Sequence, residues 1–190
     1  MTDVELVGNA LCLDFANTVN ARPVARRDWL ASPEEVTTWA RAVGHPVDGD
    51  PSLRFTLPAA RDLREAVFRV FEPLAHGEAA PPDDLETVHA THAEGFARGR
   101  IVADGETFRL VWAEPQTLRV LLWDVAASAV GLLTTGPLHR LGDCPSCHWL
   151  FLDTSKNGRR RWCSMATCGS RDKSRRYYET RSAGDPEGDG

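Results

Sequence analysis

The sequence predicts a mainly α-helical domain with one β-hairpin, followed by a small treble-clef-like α+β module held together by cysteines. Three observations carry this. Apolar residues recur at the helical period over 57–75 and cover nearly every face over 115–134. Strand-like stretches flank a single Asp104-Gly105 pair. Four of the five cysteines fall between residues 144 and 168. The rest of the composition is ordinary for a globular chain: 190 residues, 42% hydrophobic and 26% charged. That excludes collagen, low-complexity disorder and a disulfide-dense scaffold.

Each element has a local reason. Residues 6–19 place Leu11, Phe15 and Val19 at i, i+4 and i+8, which predicts a short helix. Asp14 and Asn17 share one face of it. Ser32-Pro33-Glu34-Glu35 is a helix start, with Ser32 as cap, Pro33 at the first position and Glu35 closing a capping box. Val36, Trp39, Ala40 and Val43 form its apolar stripe, and Gly44 stops it. The helix over 57–75 buries Ala60, Leu63, Val67, Val70, Phe71 and Leu74. Pro81-Pro82-Asp83 opens a weaker helix to about Phe96. Arg100–Ala103 and Glu106–Trp112 predict a hairpin on a type I′ Asp104-Gly105 turn, with Phe108, Leu110 and Trp112 on a half-buried face. Pro115 opens the central core helix, which Gly136-Pro137 ends. The tail from Ser182 to Gly190 is rich in Gly, Asp, Pro and Glu and is expected to be disordered. The division is therefore a helical domain over 1–139, a cysteine module over 140–181 and a tail over 182–190.

The longest apolar stretch, Val120–Leu133, is 14 residues and contains Asp124. A bilayer span takes roughly 20 apolar residues, so it reads as a buried helix and no membrane partner is expected. Asp3 and Glu5 stand where a secretory signal would carry basic residues. A cytoplasmic location follows as an expectation.

Charge is divided along the chain. Residues 1–139 carry 12 arginines and no lysine against 20 carboxylates, net −8, whereas residues 140–181 are net +6. A basic module on an acidic body points to a polyanionic partner.

The cysteines follow the pattern Cys144-x2-Cys147-x15-Cys163-x4-Cys168. Two residues between thiolates make a turn that aims both sulfurs at one point, and a spacer of this length returns the chain to complete a tetrahedron. The reading is one structural zinc ion bound by Cys144, Cys147, Cys163 and Cys168. A redox CxxC needs no second pair, and iron–sulfur spacings differ. His139 and His148 are the candidates to replace a thiolate. His148–Leu152 and Arg159–Trp162 are the predicted strands of the hairpin, and Ser164–Tyr178 is the helix that carries Cys168. Cys12 stands alone and reads as a small buried hydrophobe. His89 and His92, one helix turn apart, read as surface residues.

Cys144-Pro-Ser-Cys147, Phe151 to Asn157 and Arg160-Arg161-Trp162-Cys163-Ser164-Met165 with Cys168-Gly169-Ser170-Arg171 resemble the CGNR zinc finger. Leu11-Cys-Leu13-Asp14-Phe15 with Asn17-Thr18 is similar to the start of the ABATE domain that usually precedes that finger. The two resemblances span roughly residues 6–178. They imply a stress-induced transcription regulator. Where the family pattern has its namesake asparagine this chain has Ser170, which can cap or donate but lacks the amide's paired donor and acceptor.

Arg159, Arg160, Arg161, Arg171, Lys173, Arg175, Arg176 and Arg181, interleaved with Trp162, Tyr177 and Tyr178, are the candidate nucleic-acid-binding set. The acidic body shows no phosphate loop and no nucleophile elbow, so no enzyme is expected. Asp14 and Asn17 line a small-molecule pocket, or they cross-link neighbouring elements with partners such as Arg22 or Arg27. The expected function is a zinc-dependent, DNA-binding transcriptional regulator. Its N-terminal domain would serve as a sensor of a small-molecule effector or as a homodimerisation unit. The competing reading is a protein–protein adaptor with a purely structural zinc finger. Steep salt dependence of binding marks the first.

Overall fold

The protein was analysed as a computed structural model, which describes residues 4–20, 22, 27–112 and 116–182, with side chains as far as Tyr177. Pro115, the tail from 183 onward and the side chains of Tyr178 and Arg181 lie outside the described residues.

Helix α5 (Leu118–Thr135) is the post on which the body is assembled. Helices α1 (Leu11–Ala16), α3 (Leu53–Ala75) and α4 (Pro82–Arg98) pack against it. Its side chains enter the core along most of its length, from Leu118 to Leu132. Thr117 caps it, accepting the Val120 N–H at 3.3 Å. By length and composition α5 could cross a bilayer, but half of it is buried inside the protein.

Helix α2 (Pro33–Ala42) starts as the sequence predicts, with Ser32 Oγ accepting the Glu35 N–H. The capping box does not close, because the Glu35 carboxylate pairs with Arg27 at 3.0 Å. Helix α3 begins at Leu53, four residues earlier than predicted. Pro58 lies inside the helix. The true start is set by Asp50, which accepts Ser52 N–H at 2.8 Å and, through its other oxygen, Leu118 N–H at 2.9 Å. One carboxylate thus ties the starts of α3 and α5 together. Strands β1 (Val19–Asn20) and β2 (Arg27–Asp28) pair antiparallel. Arg64, 5% exposed, bonds Asp28 and Glu65 and fastens them to α3.

Strands β3 (Gly99–Asp104) and β4 (Thr107–Trp112) form the predicted hairpin, with two corrections. The loop is Gly105-Glu106, one residue beyond the expected pair. Gly105 alone has a positive φ (63°), and a type I′ turn needs two such residues. Nor is the hairpin half-buried: Ile101 and Phe108 are 72% and 74% exposed. Only its base is covered, where Trp112 meets Trp123 edge-on at 5.6 Å and donates to Asp124 at 2.8 Å. Alternation records a two-faced strand, but not whether the body extends far enough to cover one face.

Strands β5 (Leu141–Asp143) and β6 (Leu150–Leu152) form a second hairpin. This corrects the predicted pairing of 148–152 with 159–162, which forms no strand. Leu141, Leu150 and Leu152 belong to the same core as Leu13, Phe15, Trp39, Phe71 and Leu121. Gly142 leaves room for Phe151, which packs with the cysteines instead, since a Cβ there would stand 2.7 Å from its ring. A one-turn π-helix (Met165–Gly169) leads into α6 (Ser170–Ser182).

Candidate metal centre

The β5–β6 hairpin carries the first two cysteines at its tip. Cys144 N–H bonds Trp149 O at 3.0 Å, and Cys147 and His148 N–H both turn back to Cys144 O. His148 adopts a left-handed conformation (φ 57°), which bends the chain out of the knuckle into β6. The π-turn delivers Cys168, and Cys163 enters just before it. The four sulfurs lie within 4.8 Å of one another and all four residues are buried. Cys147 and Cys163 sulfurs are 3.4 Å apart, and Cys163 and Cys168 3.6 Å. Zinc–sulfur bonds of about 2.3 Å in a tetrahedron set sulfurs about 3.8 Å apart. The residues therefore fit one zinc ion with a closed shell of four thiolates.

The sulfurs also need a cation electrostatically. Hydrogen bonds from Cys147 and Cys163 push the Cys144 thiol far down. The same bonds to Cys144 push Cys147 and Cys163 up. Four sulfurs this close repel one another as thiolates, and a zinc ion between them would allow all four to ionise. Arg27 and Arg171 line a cleft of about 440 Å³ beside Cys147, Cys163 and Cys168, together with Glu5. Cys12 is different: burial pushes its thiol up to about 11, and it packs as an apolar residue.

Arg160 is the keystone between finger and body. Its guanidinium bonds the carbonyl oxygens of Val7 (2.8 Å), Trp162 (3.1 Å), Leu152 (3.3 Å) and Cys163, and stacks over Phe151 at 4.3 Å. Its own N–H donates to buried Asp153 at 2.8 Å. The other predicted cations stand apart from this. Arg159, Arg161, Arg171 and Lys173 are exposed. Arg161 lies over the Trp162 ring at 5.0 Å. Arg175 and Arg176 both pair with Asp172, at 2.7 and 2.5 Å. Those bonds hold the Asp172 carboxyl below its usual range, Arg176 being the larger influence. Lys156, absent from the sequence-based set, joins Arg159, Arg160 and Arg161 around a groove of about 630 Å³ also lined by Trp162 and Met165. No local pattern marks Lys156, because the Asp153–Gly158 turn brings it there. Ser170 Oγ donates to Met165 O at 3.0 Å and so closes the π-turn.

Asp14 and Asn17 are bound into backbone contacts. Asp14 accepts Gly8 N–H at 2.7 Å. The buried Asn17 amide donates to Leu150 O at 2.8 Å and accepts Leu150 N–H at 2.9 Å, completing the edge of β6 as a strand would. Their sequence-based partners Arg22 and Arg27 turn instead to Glu65 and Glu35. His139 and His148 lie outside the thiol cluster; the His148 ring faces Asp143 at 3.3 Å. His89 and His92 join no ligand cluster among the described residues. Sequence reasoning missed a second grouping, Glu72, His76 and Asp143. Glu72 and His76 are one helix turn apart, but Asp143 comes from a strand far along the chain.

Two family models match the chain in series. The one described as "Putative stress-induced transcription regulator" (ABATE) covers residues 9–136, and the CGNR zinc finger covers residues 140–181. No curated protein matches the chain.

Proposed function

We propose that this chain, which belongs to the ABATE family and carries a CGNR zinc finger, is a cytoplasmic, non-enzymatic transcriptional regulator that binds duplex DNA through the finger. The observation that carries the reading is the groove of Lys156, Arg159 and Arg161 over Trp162 and Met165. Among the described residues Lys156, Arg159, Arg171 and Lys173 have no acidic partner, so their charge is available to phosphates. The body, at net −8, repels DNA elsewhere and confines contact to this module. The exposed Ile101 and Phe108 of the β3–β4 hairpin support the helical domain as the dimerisation unit. The cleft lined by Arg27, Trp29, Trp149 and Arg171 supports an anionic effector beside the zinc.

The test is duplex binding by the zinc-loaded full chain across a range of salt. Affinity falls linearly on a log–log plot if several phosphates are neutralised. An absence of measurable affinity for any duplex at low salt removes the regulator reading and leaves a protein–protein adaptor.

A further inference from the structure

We propose that Glu72, His76 and Asp143 form a second divalent-metal site, of the zinc class, at the seam between the end of α3 and β5. Their ligand atoms all lie within 4.8 Å of one another. His76 Nε2 is 3.6 Å from Glu72 Oε1 and 3.5 Å from Asp143 Oδ2. Zinc bonds of about 2.0–2.2 Å to nitrogen and oxygen set tetrahedral ligands about 3.3–3.6 Å apart. The two distances from His76 match that edge and are long for hydrogen bonds.

An independent observation comes from Asp143. Its side chain is only 7% exposed, and its Oδ1 is buried with no hydrogen-bond partner. Among the described residues no arginine or lysine pairs with it; its ion-pair partners are the rings of His76 and His148. A buried carboxylate oxygen without a partner is unfavourable unless a cation compensates it. It also directly precedes Cys144, so it sits beside a centre that is itself negative once zinc is bound. The end of α3 adds to the demand, since Glu72 lies in its last turn and His76 is its C-cap, where the helix dipole is negative.

The roles are distinct. Glu72 and His76, at i and i+4, present an oxygen and a nitrogen from one helix face. Asp143 supplies the third ligand from the strand that enters the knuckle. His148, 3.3 Å from Asp143 Oδ2, orients that carboxylate from outside the coordination shell. Three protein ligands leave a position for water or an exogenous ligand. A cation here bonds the helical body to the strand leading into the finger, so its occupancy reports on zinc availability at the joint between the two.

The experiment titrates Zn²⁺ calorimetrically into the full chain after its four cysteines have been filled with one equivalent. A second equivalent binds the unaltered chain. Glu72→Gln and His76→Ala each weaken that second event tenfold or more, while both keep the first zinc and an unchanged circular dichroism spectrum. Both side chains are partly exposed, at 39% and 50%, so the variants fold. The proposal is overturned if no second equivalent binds, or if both variants bind it as tightly as the unaltered chain.

Discussion

The finger turns one face to the helical body and another to solvent, and the same residue types do different work on each. Toward the body, Arg160 bonds Val7 O while also holding the finger's own Leu152, Trp162 and Cys163 carbonyls, Asn17 completes the edge of β6, and Trp149 Nε1 reaches Val19 O at 2.8 Å. Toward solvent, Arg159 and Arg161 are exposed on either side of Arg160, at the groove that Arg160 also lines, and among the described residues they donate to no backbone group. Of three consecutive arginines, Arg160 is tied to backbone carbonyls, whereas Arg159 and Arg161 are exposed, Arg161 over the Trp162 ring. Charge in a sequence does not say which face a residue serves; the backbone path into and out of Trp162 decides it.

Removal of zinc, by chelation or by Cys144→Ser, is the largest perturbation of the body face. The finger has little core besides Trp149, Phe151 and Trp162 around the sulfurs and loses its fold without metal. The effect reaches further, because Leu141, Leu150 and Leu152 fill the body's core. Burial of each leucine is worth about 1.5–3 kcal/mol, so the helical body melts at a lower temperature in the zinc-free chain. Metal analysis and thermal circular dichroism check this together. A body that melts at an unchanged temperature while the finger unfolds breaks the idea that the seam is shared.

Asn17→Ala isolates one stitch of that seam. It leaves the Leu150 N–H and C=O buried without partners, at a cost of about 1–3 kcal/mol. Asn17→Asp costs more, since it keeps the acceptor but sets a carboxylate oxygen against the Leu150 carbonyl. Denaturant melts of the two variants measure the difference. Asp costing less than Ala would show that the donor arm carries none of the stability.

Much of the molecule is legible in the sequence alone. The Ser32-Pro33 start, the α3 stripe and the cysteine spacing are local codes, and each names its own element. What stays hidden depends on residues far apart. Leu141-Gly142-Asp143 shows no alternation; it is a strand because it pairs with Leu150–Leu152 further along the chain. Asn17 belongs to an apolar helix pattern, and its partner is 133 residues away. Alternation through Phe108 and Leu110 predicts a covered face that nothing in the body reaches to cover. The resemblance in 144–171 names the zinc ligands, but it does not separate Arg160 from its neighbours.

Asp14 gives a smaller, pH-dependent effect at the same seam. Burial pushes its carboxyl above the usual range, against hydrogen bonds from Gly8 and Val7 and the charge of Arg160. A folded-state value above the unfolded one means that folding favours the protonated form. The resulting stability is fully present below the unfolded value near 3.8 and is lost as pH rises through the folded value. The unaltered chain therefore gains stability relative to Asp14→Asn as pH falls through the carboxylate range. Melts of the pair at several pH values measure it, and a pH-independent difference contradicts the burial argument.

The least effect on stability, and the sharpest separation of the two faces, is expected from Lys156→Ala with Arg159→Ala. Both side chains are exposed at the groove and pair with no acid. Their removal changes stability by no more than about 0.5 kcal/mol, as is usual for surface sites without special interactions. Zinc content stays at its unaltered value, because neither residue is a ligand. Duplex binding, by contrast, weakens, and its log–log salt slope falls by about one unit for each phosphate that is no longer neutralised. Arg160→Ala does the reverse. It lowers stability by removing a donor from four carbonyls, of which Leu152 O keeps Asn9 Nδ2, yet at a temperature where the variant remains folded it keeps the salt slope of the unaltered chain. If Arg160→Ala flattens the slope as much as the double variant does, the two faces are not distinct, and the seam itself must contact the phosphates.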